Sequence, residues 1–229
     1  MSSTDLPPSK LGTKEHWDDV YSHELANFAE IGDEGEVWFG EDSVEKMVDW
    51  ALDNVSTDPA PYILEVGAGN GNLLFALCEA GYAPEKMCGV DYSADAVKLA
   101  QAIGRSKASS AAAESEGHEE LPALAKADKI TFAACDFLQE EVPRLEGMEG
   151  MEGQEFGPAV WNLVLDKGTF DAIALAGKDE SGRAIADRYP ARIGRVVKPG
   201  GMFLITSCNF TEDELRARFA TSDTGLFFQ

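Results

Sequence analysis

Apolar positions recur at helical intervals through the first sixty residues. Between Lys14 and Phe28 they are Trp17, Val20, Tyr21, Leu25 and Phe28, which predicts an amphipathic helix. From Asp42 the pattern returns as Val44, Met47, Val48, Ala51, Leu52 and Val55, with acidic residues at its start where a helix dipole favours them. Between the two lies Gly35-Glu36-Val37-Trp38-Phe39-Gly40, a glycine-bounded loop with an aromatic centre. From Pro61 onward the rhythm changes, and short apolar runs alternate with helical patterns, as in a parallel sheet with crossover helices. Strands are predicted over residues 62–66, 86–90, 129–134, 160–165 and 202–207. Helices fit over 73–80, stopped by Gly81, and over 94–103, opened by Ser93 as N-cap and stopped by Gly104. A further helix starts at Thr211, which has capping-box spacing to Glu214, whereas the one expected around 183–197 is interrupted by Pro190.

Two segments read as insertions and mobile surface loops: 104–128, rich in Ala, Ser and Glu, and 144–158, with its tandem Glu-Gly-Met units. The chain has 229 residues, which suits one domain with a sizeable core. Its 41 acidic against 19 basic side chains give a net charge of -22, opposing any sequence-independent grip on phosphate backbones or anionic lipid. Neither nucleic acid nor membrane is an expected partner. No apolar stretch approaches the roughly 20 residues that cross a bilayer, and the N-terminus lacks the apolar run of a signal peptide, so a cytoplasmic location is expected. Cys78, Cys88, Cys135 and Cys208 are scattered through apolar segments without a CxxC pair, and the histidines show no HExxH pattern. No metal site is expected.

The chemistry concentrates at strand ends. Ile63-Leu64-Glu65-Val66-Gly67-Ala68-Gly69-Asn70-Gly71 is an apolar strand entering a GxGxG turn, whose glycines permit a tight bend and leave room for a ligand against the backbone. A dinucleotide fingerprint needs its third glycine at position 72, which is Asn72, and this weakens the case for a nicotinamide cofactor. The next strand ends in Gly89-Val90-Asp91-Tyr92-Ser93, with Asp91 20 residues past Gly71, where a carboxylate accepts hydrogen bonds from ribose hydroxyls. The ligand should therefore carry a ribose. Asp136, followed by Phe137, and the pair Asp166 and Asp171, which bracket the turn Lys167-Gly168-Thr169-Phe170, should face the same crevice. Asp136 could accept from an adenine amino group while Phe137 packs on the ring, or it could simply end a strand. A surface ion pair with either acid is the expected role of Lys167.

In this order ILEVGAGNG, GVDYS, CDF, LDKGTFDA and VKPGGMFLITSCN resemble the motifs of the class I S-adenosylmethionine-dependent methyltransferases. LGTKEHWDDVY, GEVWFGE, DKGTFDAI and LITSCNFTEDEL resemble, more narrowly, those that modify a lysine of translation elongation factor 1-alpha. The resemblance covers Leu11 to about Phe219 apart from the two insertions. It implies an α/β, Rossmann-like sheet of the seven-stranded type, here expected to lack its last antiparallel strands because the sequence stops at Gln229. Residues 1–60 would form a helical segment covering the cofactor site and 61–229 the S-adenosylmethionine-binding domain, the two making one structural unit. Glu65, Gly67 and Gly69 would cradle the methionine part of the cofactor, Asp91 with its neighbour Tyr92 would hold the ribose, and Asp136 and Phe137 would receive the adenine. Trp38 and Phe39 would fold over the cofactor, with a hydrophobic anchor as the alternative. Asp166 would lie by the transferring methyl group and orient the amine, with Asp171 as second candidate. The implied activity is protein-lysine methylation of elongation factor 1-alpha by a monomer. Small-molecule methylation, and a non-catalytic module that binds S-adenosylmethionine, are the competing readings.

Overall fold

A computed structural model describes residues 6–114, 122–148 and 160–229. Two helices lead the chain, α1 (Lys14–Ile31) and α2 (Glu41–Asn54). The Thr13 hydroxyl accepts from the His16 N–H at the start of α1, and Gly32 ends it in the left-handed conformation. There follow β1 (Ile63–Val66), α3 (Asn72–Glu79), β2 (Met87–Asp91), α4 (Ala94–Glu114), β3 (Thr131–Ala134), β4 (Trp161–Lys167), α5 (Thr169–Ala174), α6 (Tyr189–Val196), β5 (Val197–Thr206) and α7 (Glu212–Phe219). Short 3-10 turns cover Lys10–Gly12, Pro84–Lys86, Ala123–Lys129 and Ile185–Arg188.

The five strands form one parallel sheet in the order β3-β2-β1-β4-β5. Chain order reverses between β1 and β4, and a sheet of this kind binds ligands in the crevice outside the carboxyl ends of its strands at that point. Helices cover both faces, which is why the strands read as continuous apolar runs. On one face Ile63, Leu163 and Leu165 pack with Tyr21, Met47, Leu74, Phe75 and Leu99; on the other Leu64, Val66 and Val164 pack with Phe170, Tyr189, Ile193 and Phe219.

The structure corrects several expectations. Gly104 does not stop α4, which runs on to Glu114. A glycine inside a helix is unfavourable by roughly 1 kcal/mol relative to alanine, and here the 3-10 turn Ala123–Lys129 packs against that stretch of helix. Much of the supposed loop 104–128 is thus ordered, and its residues 115–121 lie outside the described residues. In the other supposed loop, Leu145 and Met148 are buried, and residues 149–159 lie outside the described residues. Pro190 does not break a helix, because it stands in the first turn of α6, where its missing N–H leaves no bond unmade. Ser93 precedes α4 as expected, but its hydroxyl has no partner; its carbonyl receives the Val97 N–H instead. The Thr211–Glu214 capping box forms as predicted.

Candidate functional site

The strand β1 delivers the chain into the glycine turn at the switch point, with Gly67, Gly69 and Gly71 all at positive φ. Gly69 shows why no larger residue fits. Its φ is +53°, and a Cβ there would stand 2.4 Å from the Tyr21 hydroxyl of α1. Asp91, at the end of β2, ties this turn down: one carboxylate oxygen accepts from Gly69 N–H at 3.1 Å and the other from Ser93 N–H at 2.9 Å. Burial pushes Asp91 up to about 6, against the lowering effect of those two amides.

A cavity of about 500 Å³ opens above the turn. Its floor comes from the strand ends, with Gly67, Gly69, Asp91, Tyr92, Asp136, Phe137 and Asp171 among its lining, and its roof from the N-terminal segment, with Leu11, Tyr21, Trp38 and Phe39. That roof is fastened at several points. Ser9 N–H donates to the Leu175 carbonyl, the Tyr92 hydroxyl to the Thr13 carbonyl at 3.3 Å, and the Lys167 ammonium to the Trp38 carbonyl at 3.0 Å. Trp38 packs edge-on to Trp17 with 4.8 Å between ring centroids. Lys167 therefore does not form the expected surface ion pair, since it faces inward and clasps the roof.

Sequence reasoning is revised most at Asp166. Alternation along β4 turns it under α5 and α6 rather than toward the cavity, and it is fully buried. Its carboxylate accepts from Thr169 N–H at 2.7 Å, from Phe170 N–H and from the Tyr189 hydroxyl at 2.7 Å, capping the first turn of α5. Burial pushes it up to about 7 despite these donors. In this structure the carboxylate anchors α5 and does not line the cavity. Asp171, in the first turn of α5, does line the cavity. One of its oxygens accepts from the Ser207 hydroxyl and Asn209 N–H, both at 2.8 Å, while the other is buried without a partner. Burial raises its pKa, against the lowering effect of these donors. Asn209 and Cys208 join Asp171 in the lining, and sequence reasoning did not single them out. The capping box at Thr211 held the signal, because it places residues 207–210 just past the end of a strand.

Phe137 lines the cavity, yet its ring is largely enclosed, with the Tyr189 ring at 5.4 Å and the Arg192 guanidinium at 5.3 Å. Asp136 accepts from Leu138 N–H at 3.0 Å. Glu65 is buried between the sheet and α1, pushed upward by desolvation and held down by the Lys167 charge. Among the described residues, Glu65 Oε2, Trp38 Nε1 and Asp171 Oδ2 are buried polar atoms without a hydrogen-bond partner, and no cluster of side chains could hold a metal ion.

Residues 58–226 match the family model described as a methyltransferase domain. The chain is 40% identical to protein-lysine N-methyltransferase efm4 of Schizosaccharomyces pombe, over 93% of this chain and 82% of that protein. The chain belongs to this methyltransferase family. Within it, EEF1A lysine methyltransferase 2 of Homo sapiens is 36% identical over 93% of this chain and 75% of its own length. Among solved structures the cyclase SpnF superposes with a TM-score of 0.54 at 15% identity, over 90% of this chain and 63% of that one. That likeness shows the shared fold alone, and its bearer's different name illustrates that the fold does not set the reaction.

The glycine turn and Asp91 offer the features a nucleoside cofactor requires: backbone amides at a bend where three positions are glycine, a carboxylate at the end of β2, and an unsatisfied indole N–H in the roof. The residues present fit S-adenosylmethionine.

Proposed function

We propose that this protein transfers a methyl group from S-adenosylmethionine to a lysine side chain of translation elongation factor 1-alpha. The geometric observation that supports the reading best is the cavity at the switch point, where Asp91 is bonded to the glycine turn on one side and Asp171 holds a buried, unpartnered oxygen on the other. The names of the relatives support the protein substrate.

When bound, S-adenosylmethionine supplies an electrophilic methyl group on a positively charged sulfur. Glu65, Gly67 and Gly69 would hold its methionine part, Asp91 and Tyr92 its ribose, Asp136 and Phe137 its adenine, and Trp38 would close over it. The chain's remaining task is to present a neutral amine. A lysine with an ordinary pKa near 10.4 is neutral in about one molecule in a few thousand at pH 7. Enclosure beneath the roof strips water from the amine and favours its neutral form. Asp171 then accepts one amine N–H through its free oxygen and aims the lone pair, while Ser207 and Asn209 fix the carboxylate. A carboxylate also favours the charged amine, so orientation is the first contribution of Asp171 and proton removal the second.

Incubating the purified protein with methyl-labelled S-adenosylmethionine and elongation factor 1-alpha tests this, with mass spectrometry to find the modified lysine. Label in the factor is expected. Absence of label from a preparation that binds the cofactor calorimetrically would leave a binding module, and label in small products alone would point to a small-molecule acceptor. The same reading carries a cytoplasmic location and a monomeric state, which fractionation and light scattering check.

A further inference from the structure

Arg192 is an arginine on α6 that is only 4% exposed, and it donates hydrogen bonds to two backbone carbonyls. Its Nε–H donates to the Phe137 carbonyl at 2.7 Å, its Nη2 donates to the Glu140 carbonyl, and the guanidinium lies 5.3 Å from the centre of the Phe137 ring. A buried arginine is expensive in the absence of hydrogen bonds, and burial draws its pKa down. Here the side chain spans the back of one short turn, residues 136–140, just past the end of β3.

The front of that turn lines the cavity. Asp136 organises it from within: its carbonyl accepts from Gln139 and Glu140 N–H, its carboxylate accepts from Leu138 N–H, and its own N–H donates to the Glu140 side chain at 2.8 Å. Cys135 N–H donates to the Asp91 carbonyl at 2.8 Å, which ties the turn to the strand carrying the ribose carboxylate. The Phe137 and Glu140 carbonyls receive the guanidinium. Without it the carbonyl of buried Phe137 would lose its donor, and the turn would have to twist to rehydrate it, while the carbonyl of exposed Glu140 would lose the tie that fixes the far end of the turn.

We infer that Arg192 is a positioning residue, which holds the 136–140 turn from behind so that Asp136 and Phe137 meet the purine of the nucleoside. It does not itself line the cavity. Arginine suits the task because its planar fork can reach two carbonyls at once while stacking on a ring, which lysine cannot do. The inference rests on the proposed adenine role of Asp136 and concerns which residue fixes it.

The test compares Arg192→Lys and Arg192→Met with the unaltered chain by calorimetry, with three probes: S-adenosylhomocysteine, 5′-methylthioadenosine, and the inosine analogue of S-adenosylhomocysteine in which a carbonyl replaces the purine amino group. Arg192→Met should weaken S-adenosylhomocysteine and methylthioadenosine alike by about tenfold, because the loss lies at the nucleoside they share. It should also shrink the preference for the adenine over the inosine form, and Arg192→Lys should recover part of both. Amide hydrogen exchange should rise at Leu138, Gln139 and Glu140 in the absence of ligand. Unchanged affinity and unchanged purine preference in a folded variant, with only a lower melting temperature, would overturn the inference and leave Arg192 as mere scaffold. Should Arg192→Met not fold, Arg192→Lys decides on the same two readouts. The parent reading fails separately: if Asp136→Asn leaves the purine preference intact, Asp136 does not read adenine, whatever Arg192 does.

Discussion

The turns after β1 and after β4 are built from similar parts and used in opposite ways. Each leaves its strand through a carboxylate-bearing end and bends at a positive-φ glycine into a helix. After β1 the bend carries only the small side chain of Ala68 and that of Asn70 between its glycines, and its Gly69 amide is held by a carboxylate from the neighbouring strand, Asp91. After β4 the carboxylate of the strand itself, Asp166, caps the helix, and the bend at Gly168 is covered by Phe39 from the N-terminal segment. The nucleoside half of the cavity is thus built on the sheet's own strand ends, with Tyr21 of α1 and Thr169 of α5 packed against its glycines. The acceptor half borrows its shape from a segment more than a hundred residues away in sequence.

The comparison breaks most directly at its first member. Asp91→Ala removes the acceptor for Gly69 and Ser93 N–H and the proposed ribose ligand together. Calorimetry should show S-adenosylhomocysteine affinity falling by about a hundredfold or more, as loss of a buried, multiply bonded carboxylate implies. Retained affinity would place the nucleoside elsewhere.

Asp166 and Asp171 separate stability from turnover. Asp171→Asn should keep the bonds from Ser207 and Asn209 and lower kcat about a hundredfold, with melting nearly unchanged. Asp166→Ala strands the Tyr189 hydroxyl and two amides in the core and should cost about 3 kcal/mol or more in urea unfolding. If Asp166→Asn instead lowered kcat with stability intact, the assignment of roles would reverse.

Gly168→Ala probes the covered turn. Gly168 sits at φ +88°, and a Cβ would stand 2.2 Å from the Phe39 ring. The backbone alone should lose about 1–2 kcal/mol, and displacing Phe39 should raise the KM for elongation factor 1-alpha several-fold while S-adenosylhomocysteine affinity changes less. Equal losses for both ligands would mean that Phe39 covers the nucleoside rather than the acceptor side.

This contrast also explains what could be read in advance. The glycine turn, the carboxylate at the end of β2 and the parallel sheet with crossover helices follow from local patterns, since a period of hydrophobicity and a spacing from turn to strand end are visible along a chain. Sequence reasoning puts Asp166 ahead of Asp171 because position near a strand end does not reveal which way a side chain there points. That is decided by alternation against helices not yet placed, and it turned Asp166 toward Tyr189. Lys167 was misjudged for a related reason, as its partner is the carbonyl of Trp38, distant in sequence. Gly104 and Pro190 carried real local signals, yet packing overrode one and helix position disarmed the other.

The smallest effect concerns pH, and it pits the two carboxylates against each other in one titration. Asp91 and Asp166 are raised by burial to about 6 and about 7, above their values in the unfolded chain. A raised carboxylate binds its proton more tightly in the folded state, so its stabilising contribution is complete below the unfolded value and is lost as pH rises through the folded one. Thermal stability without ligand should therefore decline from about pH 4 upward, Asp91→Asn removing the share of the decline that ends near pH 6 and Asp166→Asn the share that ends near pH 7, while Glu65, raised to about 8, carries the remainder. Ribose hydroxyls prefer the ionised acceptor, so affinity for S-adenosylhomocysteine should rise several-fold as Asp91 ionises through about pH 6, in the direction opposite to stability. The rise should vanish in Asp91→Asn and persist in Asp166→Asn, since only the first carboxylate lines the cavity. An affinity rise abolished by Asp166→Asn instead would show that the turn after β4, and not the one after β1, senses the bound nucleoside.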